Sequence, residues 1–495
     1  MNRQAALNRL HNEKDWDVII IGGGATGLGA AVDAASRGYR TVLLEAHDFA
    51  KGTSSRATKL VHGGVRYLAQ GNIKLVKEAL RERGWLLKNA PHITSDLLFV
   101  IPVYSFFEKM FYGIGLGMYD LLSGKLSLGK TKWLSKKQTI QHLPDLKEKG
   151  LAGGIAYHDG QFDDARLAVE LAKTAVEHGA VIVNYSSVTG LLKHGEKVNG
   201  VTVQDKLDGT TYQLNARAVI NATGVFADHV MQMDEQQHSD IVTPSQGIHL
   251  VVDKKFFTSN HALMIPKTSD GRVLFAVPWH NKVVIGTTDN EVPEISLEPR
   301  PLQSEIEFVL QHANKYFKTN IERSDVKSMF AGLRPLVKQK NAENTAVIRR
   351  DHTIIVSKAH LITITGGKWT TYRKMAEEVV NQAVITGRLP KRTCITSNLP
   401  IGGTEALYPR QDNSLLHKDF EIQEKDIAFF VQHEMAATVE DVLARRTRLL
   451  FLDAGMAIAK APAVAAIMAR YMNKDEAWQR EQVEAFNATA KGYIL

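Results

Sequence analysis

The residues of this chain most clearly suited to holding a reactive cofactor are three glycines and one acid near its start. An apolar run over residues 17–21 is followed by Gly22, Gly24 and Gly27, and Glu45 ends the next apolar run. In this pattern the first glycine permits a tight turn, the second lets the backbone approach a pyrophosphate, and the third allows close helix–strand packing. An acid at the end of the second strand accepts hydrogen bonds from a ribose. The sequence therefore predicts a dinucleotide-binding βαβ unit.

The segment after the second strand indicates which dinucleotide is bound. Residues 52–67 combine small hydroxyl residues with paired glycines, which can line a flat ring system and donate hydrogen bonds to it. A nicotinamide dehydrogenase of ordinary plan would continue into another helix–strand repeat. The glycines of residues 113–117 lack a preceding β run, and the lone Cys394 excludes a redox-active cysteine pair. FAD is thus the predicted cofactor, with electrons entering directly from an organic substrate.

Further motifs extend this pattern along most of the chain. They are residues 53–67, 222–224, 246–249, 332–335, 350–351 and 366–373. With them the chain resembles the FAD-dependent glycerol-3-phosphate dehydrogenases, within the wider class of flavin amine and alcohol oxidoreductases. Many flavoproteins share the glycine fingerprint and residues 222–224, whereas 53–67 and 366–373 are specific to this family. The calcium-binding extension of some relatives is absent, and we expect no metal site.

The resemblance implies a set of cations for a phosphomonoester substrate. Such a group carries nearly two negative charges, so burying it beside a flavin requires several fixed cations. The family pattern supplies them at Arg66, Arg334, Arg350 and Lys368, with Tyr67 as a further substrate contact. Arginine can grip phosphate oxygens through two parallel hydrogen bonds. For each cation taken alone a solvent-facing salt bridge is the more common explanation, and it is their placement at glycine- and proline-rich backbone that favours a function.

For the proton acceptor the resemblance and the chemistry favour His249, with Arg334 as the other catalytic residue. Histidine titrates near neutrality, so it can take the hydroxyl proton as a hydride leaves the carbon. The alternative for His249 is a hydrogen-bonded histidine within a sheet. His62 is the rival base, but the glycines that follow it favour a place against the flavin ring.

Fifteen positions are predicted to contact the cofactor, partly from the glycine fingerprint and partly from the resemblance. They are Gly22, Gly24, Gly27, Glu45, Thr53, Ser54, Ser55, Lys59, His62, Gly63, Gly224, Gly332, Gly367, Lys368 and Thr370.

The elements that must position these residues follow from hydrophobic periodicity. Residues 163–179 have helical spacing and lead into a strand at 181–183, while 243–328 alternate as an antiparallel sheet does. The fold class is α/β (α+β), with a Rossmann-like FAD-binding domain, an antiparallel-sheet substrate-capping domain and a C-terminal helical domain. The expected boundaries are 12–75 plus 150–240 plus 330–385 for the first, 76–149 plus 241–329 for the second, and 386–495 for the third.

Length and charge limit the partners. A chain of 495 residues is too long for one core, and its net charge of +8 suits nucleic acid, anionic lipid or an anionic substrate. No basic run or basic aromatic ladder is present, so we exclude nucleic acid. Residues 1–16 lack the apolar core of a signal peptide, so we expect a cytoplasmic protein. For the oligomeric state, we consider a homodimer as a candidate.

The chain contains no apolar run long enough to span a bilayer, yet one segment has the composition of an interfacial element. Residues 106–125 mix aromatic and aliphatic side chains with lysine, and more lysines follow up to Lys137. These aromatics fit equally well in the core of the capping domain, with the lysines as its solvated rim. The resemblance favours a peripheral enzyme on the cytoplasmic face of the inner membrane.

The implied reaction is oxidation of sn-glycerol 3-phosphate to dihydroxyacetone phosphate by hydride transfer to FAD, with a membrane quinone as final acceptor. A glycerol-3-phosphate oxidase would share the first half of the reaction and pass electrons to oxygen, producing hydrogen peroxide. A flavin amine oxidoreductase is disfavoured, because a single carboxylate needs fewer cations. The last alternative is a flavin-binding structural or regulatory protein without turnover.

Overall fold

The computed structural model describes residues 1–65, 71–268, 271–338, 352–402 and 422–495, and the backbone of 415–417. The strands are β1 Asp15–Ile21, β2 Thr41–Leu44, β3 Leu60–Val61, β4 Thr94–Val103, β5 Lys132–Ser135, β6 Gly153–Phe162, β7 Val181–Val183, β8 Ser186–His194, β9 Lys197–Asp205, β10 Thr211–Asn221, β11 Val242–Asp253, β12 Ala262–Ile265, β13 Leu274–Trp279, β14 Lys282–Gly286, β15 Asn290–Glu291, β16 Val326–Val337, β17 His352–Val356, β18 Ile362–Gly366, β19 Leu415–His417 and β20 Ile422–Gln423. The α-helices are α1 Arg3–Asn12, α2 Ala25–Ser36, α3 Ile73–Asn89, α4 Phe106–Ser123, α5 Lys136–His142, α6 Asp164–Glu177, α7 Ala227–Asp234, α8 Gln303–Tyr316, α9 Tyr372–Thr386, α10 Glu424–His433, α11 Leu449–Leu452, α12 Ala454–Met472 and α13 Glu476–Ala490.

The first sheet is built around parallel strands. Strands β18, β10, β1, β2 and β7 lie side by side in that order and run parallel, and the antiparallel strands β17, β8 and β9 extend the sheet. The apolar runs of β1 and β2 are buried, as both faces of a parallel sheet must be. Helix α2 contacts both α6 and α9 on this sheet. This confirms the predicted Rossmann-like region, including the helix–strand pair at 164–183.

The second sheet is mostly antiparallel and runs in the order β15, β11, β14, β13, β12, β4, β6 and β3, with β16 beside β11 and β5 beside β6. Along β11 the side chains alternate between two faces. Ile248 and Leu250 pack with Ile306 and Val309 of α8, whereas His249 lies on the opposite face. The antiparallel sheet predicted for 243–328 is therefore confirmed.

The division of the strands between the two sheets differs from the domain boundaries expected from the sequence. Strands β3 and β6 and the last part of β16 belong to the second sheet, although those boundaries place their residues with the first domain. Local periodicity marks a strand but not its neighbour, because pairing joins residues far apart in the chain. The division into domains stays a prediction.

The C-terminal region is helical, as predicted, and buried ion pairs join it to the first sheet. A π-helix over Asp441–Arg446 presents Arg445 and Arg446 to Asp48, at 2.5 and 2.8 Å. These two guanidinium groups lower the pKa of Asp48 to about 2, despite the burial that opposes ionisation. Arg445 also binds Asp441 at 2.7 Å, within the same helix.

Candidate functional site

The glycine turn after β1 forms a cradle that no side chain could share. Gly22 has φ +108°, and a Cβ there would lie 2.7 Å from the carbonyl oxygen of Ala222. A Cβ on Gly27 would lie 1.9 Å from the carbonyl oxygen of Gly22. Helix α2 begins directly afterwards, at Ala25, with Gly24 as its N-cap. The turn therefore brings a helix N-terminus and bare backbone to one place, as a pyrophosphate requires.

A cavity of about 360 Å³ opens beside this turn, at the carboxyl ends of β1, β2, β10 and β18. Ligands of open parallel sheets bind at this edge. The predicted cofactor residues that line the cavity are Gly22, Gly24, Glu45, Thr53, Ser54, Gly224, Gly367 and Lys368. The shape of the turn and this shared lining fit FAD.

Glu45 lines the cavity with both carboxylate oxygens already bonded to backbone. Oε2 accepts the N–H of Gly23 at 2.6 Å and Oε1 accepts the N–H of His47 at 2.8 Å. Burial raises the pKa of Glu45, while these two N–H groups favour the ionised form. Each carboxylate oxygen can accept a second hydrogen bond. Glu45 can thus shape the loop and still receive a ribose hydroxyl.

Ser54 and Thr53 fasten the next segment to the cavity wall. The hydroxyl of Ser54 accepts the N–H of Ala25 at 2.9 Å, and its carbonyl accepts the indole N–H of Trp369 at 2.9 Å. The hydroxyl of Thr53 donates to the carbonyl of Leu333 at 2.6 Å. These bonds hold residues from the first and second sheets around the same opening.

Sequence reasoning missed several lining residues. They include His47, Lys51, Ser186, Val188, Lys206 and Trp369. Ser186 and Val188 follow β7, the next parallel strand after β2, so the rule about carboxyl ends was the available signal. Lys51 carried no local signal, because its ion pair with Glu440 at 2.5 Å joins distant parts of the chain.

The structure does not bring every predicted cofactor residue to the cavity lining. Lys59 is fully buried and its Nζ lies 2.7 Å from Asp164, while Ser55 accepts a bond from Lys59 through its carbonyl. Burial lowers the pKa of Lys59 to about 7, although Asp164 opposes that shift. A Cβ on Gly332 would lie 3.0 Å from the Cβ of Arg56. The contacts described for Lys59, Ser55 and Gly332 are made within the protein. Their role toward the cofactor stays a prediction.

His62, Gly63 and Thr370 are not among the residues that line this cavity. The N–H of His62 donates to the hydroxyl of Thr370 at 3.2 Å, and the N–H of Gly63 donates to the Tyr119 hydroxyl at 2.7 Å. Thr370 follows Lys368 and Trp369, which both line the cavity. The loop that starts at His62, described over residues 62–65, is thereby bonded to the segment that follows Lys368 and Trp369.

His249 is buried, with 3% of its surface exposed, and stacks on Phe330 with ring centroids 4.9 Å apart. Its Nε2 lies 2.9 Å from the Thr58 hydroxyl, while Nδ1 has no hydrogen-bond partner among the described residues. Burial holds the pKa of His249 well below its usual value, and the charges of Lys59 and Arg334 act in the same direction. The imidazole is therefore neutral at physiological pH and able to accept a proton.

Arg334 lies on the same face of the second sheet as His249. In the β11–β16 pairing Arg334 opposes Ser245 and Phe330 opposes His249, an even spacing that keeps all four on one face. The guanidinium donates to Asp289 Oδ1 at 3.1 Å, and its side chain is 21% exposed. The face therefore presents a fixed cation and a neutral proton acceptor together.

The partners of Arg334 were not foreseen from the sequence. Its NH2 group donates to the Thr287 hydroxyl at 3.0 Å and to the Thr288 carbonyl at 2.9 Å, and Asp289 also accepts from Ser245. The polar run over residues 287–290, directly after β14, was the available signal. Of the other predicted substrate residues, Lys368 lines the cavity, whereas Arg66, Tyr67 and Arg350 lie outside the described residues.

Comparison with known proteins gives two family matches. The family described as FAD dependent oxidoreductase matches residues 17–373, and the C-terminal domain of alpha-glycerophosphate oxidase matches residues 363–479. The mitochondrial glycerol-3-phosphate dehydrogenase of Homo sapiens is 37% identical over 98% of this chain and 74% of its own length. The chain belongs to the FAD-dependent glycerol-3-phosphate dehydrogenase family. FAD is the cofactor of this family, as the sequence predicted.

Solved structures agree with this membership. The glycerol-3-phosphate dehydrogenase from Bacillus halodurans, complexed with FAD, superposes with a TM-score of 0.80 at 30% identity, covering 100% of this chain and 98% of that one. L-alpha-glycerophosphate oxidase from Mycoplasma pneumoniae shares the fold, with a TM-score of 0.58 at 20% identity over 77% of this chain and 96% of that one. Both the family and its fold therefore extend over most of the chain.

Two features are absent from the described residues. None of the helices has both the length and the apolar character needed to cross a membrane. In that same part of the chain, no three His, Cys, Asp or Glu side chains are grouped so that they could hold a metal ion.

Proposed function

We propose that this protein oxidises sn-glycerol 3-phosphate to dihydroxyacetone phosphate and passes the electrons to a membrane quinone. The observation that carries the proposal is the shared sheet face of His249 and Arg334, which offers a proton acceptor and a cation to one substrate. The names of the relatives, at 37% and 38% identity, support the choice of substrate.

Each residue of the face has a separate task in this proposal. Arg334, held in place by Asp289 and Thr287, binds the phosphate oxygens of the substrate. The proposal requires the tautomer in which Nε2–H of His249 donates to the Thr58 hydroxyl at 2.9 Å, so that the lone pair on Nδ1 takes the hydroxyl proton of the substrate. FAD, when bound, would supply the acceptor for the hydride that leaves the carbon bearing this hydroxyl. The two electrons leave with the hydride, so the alcohol becomes a ketone.

The proposal predicts that glycerol 3-phosphate bleaches the yellow holoprotein in the absence of oxygen. Flavin absorbance is followed after anaerobic mixing, and free glycerol serves as the control because it has the alcohol without the phosphate. We expect glycerol to react at least about 10²-fold more slowly, since it forgoes the charge-assisted bonds to the cations. Absence of bleaching by glycerol 3-phosphate would contradict the proposal.

The same experiment identifies the acceptor. A soluble quinone or oxygen is added to the reduced protein, and recovery of the flavin colour is timed. We expect rapid recovery with quinone and slow recovery with oxygen. Rapid recovery with oxygen, accompanied by hydrogen peroxide, would instead indicate a glycerol-3-phosphate oxidase.

Helix α4 supports the choice of a membrane acceptor. Its inner side chains, such as Leu116 and Tyr119, are buried, while the outer ones project into solvent. We call the outer residues the α4 apolar face: Phe106, Phe107, Met110, Phe111, Ile114, Met118 and Leu121. Phe107 and Leu121 are 83% and 82% exposed, so these side chains lie outside the core. An apolar stripe of this kind on a surface helix suits the headgroup region of a bilayer.

Exposed lysines follow this helix in the chain. They are Lys125, Lys130, Lys132, Lys136 and Lys137. Each lysine near an anionic lipid surface contributes about 1 kcal/mol of binding. We therefore propose that the α4 apolar face docks on anionic lipid, where a quinone is also found.

Replacing Phe107 and Leu121 together with serine is expected to weaken vesicle binding by roughly 10²- to 10⁴-fold, because each large apolar side chain contributes about 1.5–3 kcal/mol when buried. Co-sedimentation with phosphatidylglycerol vesicles measures this. Ile385→Ser is the matched control, since Ile385 is 71% exposed on α9, away from this face. Equal binding by the double variant and the control would refute the docking proposal.

A further inference from the structure

The inner side of α4 contacts the loop that starts at His62. The hydroxyl of Tyr119 accepts the N–H of Gly63 at 2.7 Å and donates to Asp159 Oδ2 at 2.7 Å. Tyr119 is 1% exposed and Asp159 is 2% exposed, so no water competes for these bonds. A phenol can donate and accept at once, whereas a phenylalanine there would leave both partners without this hydroxyl.

Further hydrogen bonds fix both Tyr119 and its partner Asp159. Arg83 of α3 donates to Asp159 Oδ1 at 2.9 Å, and Arg83 also reaches the carbonyl of Leu126 just after α4, at 3.4 Å. The hydroxyl of Ser123 donates to the carbonyl of Tyr119 at 3.1 Å. The position of the phenol is therefore set jointly by α3, α4 and β6.

Helix α4 and the loop that starts at His62 are closely packed. A Cβ on Gly63 would lie 2.5 Å from the Tyr119 hydroxyl and 2.4 Å from Leu80. The neighbouring residue His62 donates its N–H to Thr370, two positions after Lys368 in the cavity wall. A continuous set of contacts thus runs from the helix with the exposed apolar face to Thr370, which directly follows the cavity-lining Lys368 and Trp369.

We propose that Tyr119 is a positioning residue that transmits the position of α4 to the loop starting at His62, so that docking of the α4 apolar face on anionic lipid changes the rate of flavin reduction. This inference rests on the proposed function, because that function gives the loop and the lipid surface their roles. Close packing makes the coupling direct, since a shift of α4 must move Gly63 or break its hydrogen bond.

The test is the variant Tyr119→Phe as holoprotein, with and without phosphatidylglycerol vesicles. Amide hydrogen exchange over residues 58–65 reports the loop, and anaerobic flavin reduction by glycerol 3-phosphate reports its consequence. Tyr157→Phe is the matched control, because Tyr157 is 2% exposed, its ring lies 6.3 Å from that of Tyr119, and its hydroxyl bonds to Met264 instead of the loop.

We expect Tyr119→Phe to speed exchange in this segment and to slow flavin reduction about tenfold, with FAD content and vesicle binding unchanged. Vesicles should change both the amide exchange of residues 58–65 and the rate of flavin reduction in the wild type and in Tyr157→Phe. In Tyr119→Phe they should change neither. A vesicle response that survives in Tyr119→Phe, or the same exchange and rate in both variants, overturns the inference.

Two further outcomes are decided by the wild type alone. If Tyr119→Phe does not fold, the wild type still provides a test, because amide exchange over residues 58–65 must respond to vesicles. The absence of such a response would overturn the coupling. If glycerol 3-phosphate fails to reduce the wild type, the proposed function fails, while the exchange measurements continue to decide the role of Tyr119.

Discussion

Replacing Arg334 with alanine is expected to lower kcat/KM for glycerol 3-phosphate by about 10²- to 10³-fold, because two charge-assisted hydrogen bonds to phosphate together contribute about 3–4 kcal/mol. Most of the loss should appear as weaker substrate binding, since the phosphate is charged before and after the reaction. FAD content should stay the same, as Arg334 is not among the residues that line the cavity. Anaerobic flavin reduction over a range of substrate concentrations measures both quantities.

Arg3→Ala is the matched control for this loss. Arg3 is 17% exposed and pairs with the buried Asp205 at 2.8 Å, much as Arg334 is 21% exposed and pairs with Asp289 at 3.1 Å. Both variants leave one buried carboxylate without its arginine, so a general loss of stability would affect them alike. Equal flavin reduction by the two variants would exclude Arg334 from phosphate binding.

His249→Gln is expected to slow flavin reduction at saturating substrate by about 10²- to 10³-fold, the usual contribution of a positioned proton acceptor. Glutamine keeps a polar side chain of similar length but cannot take up the proton. Substrate affinity should change little, because Arg334 remains in place. Stopped-flow reduction across substrate concentrations separates the two effects.

His312→Gln is the control for this substitution, since His312 is also 3% exposed and its Nδ1 lies 2.8 Å from the Phe308 carbonyl in α8. Normal reduction by His312→Gln together with slow reduction by His249→Gln would support the assignment. If His249→Gln reduces its flavin at the wild-type rate, the proton acceptor is another residue.

The pH dependence of reduction follows from the same histidine. Burial, then the charges of Lys59 and Arg334, keep the pKa of His249 well below its ordinary value of 6.5. Only the neutral imidazole accepts a proton, so the acceptor stays available as the pH falls through 6.5 and is lost only below the depressed pKa. The contribution of His249 to the rate should accordingly be flat between pH 6.5 and neutrality, at saturating substrate.

The sequence alone determined the cofactor-binding unit and much of the fold class. Gly22 and Gly27 have no room for a side chain, and this requirement is visible as a spacing of glycines within one short segment. The helix at 164–177 and the strand at 181–183 were predictable for the same reason, because periodicity is a local property. The family resemblance added His249 and Arg334, whose individual residue types carry no such local signal.

The tertiary structure alone decided how the side chains are paired and which are buried. Lys59 and Asp164 are 105 positions apart, and their ion pair takes Lys59 into the interior instead of to the cavity lining. The exposed face of α4 was equally consistent with a core helix until its neighbours were known. Glycine sterics and periodicity act between residues close in the chain, whereas burial and ion pairing depend on distant residues that only folding brings together.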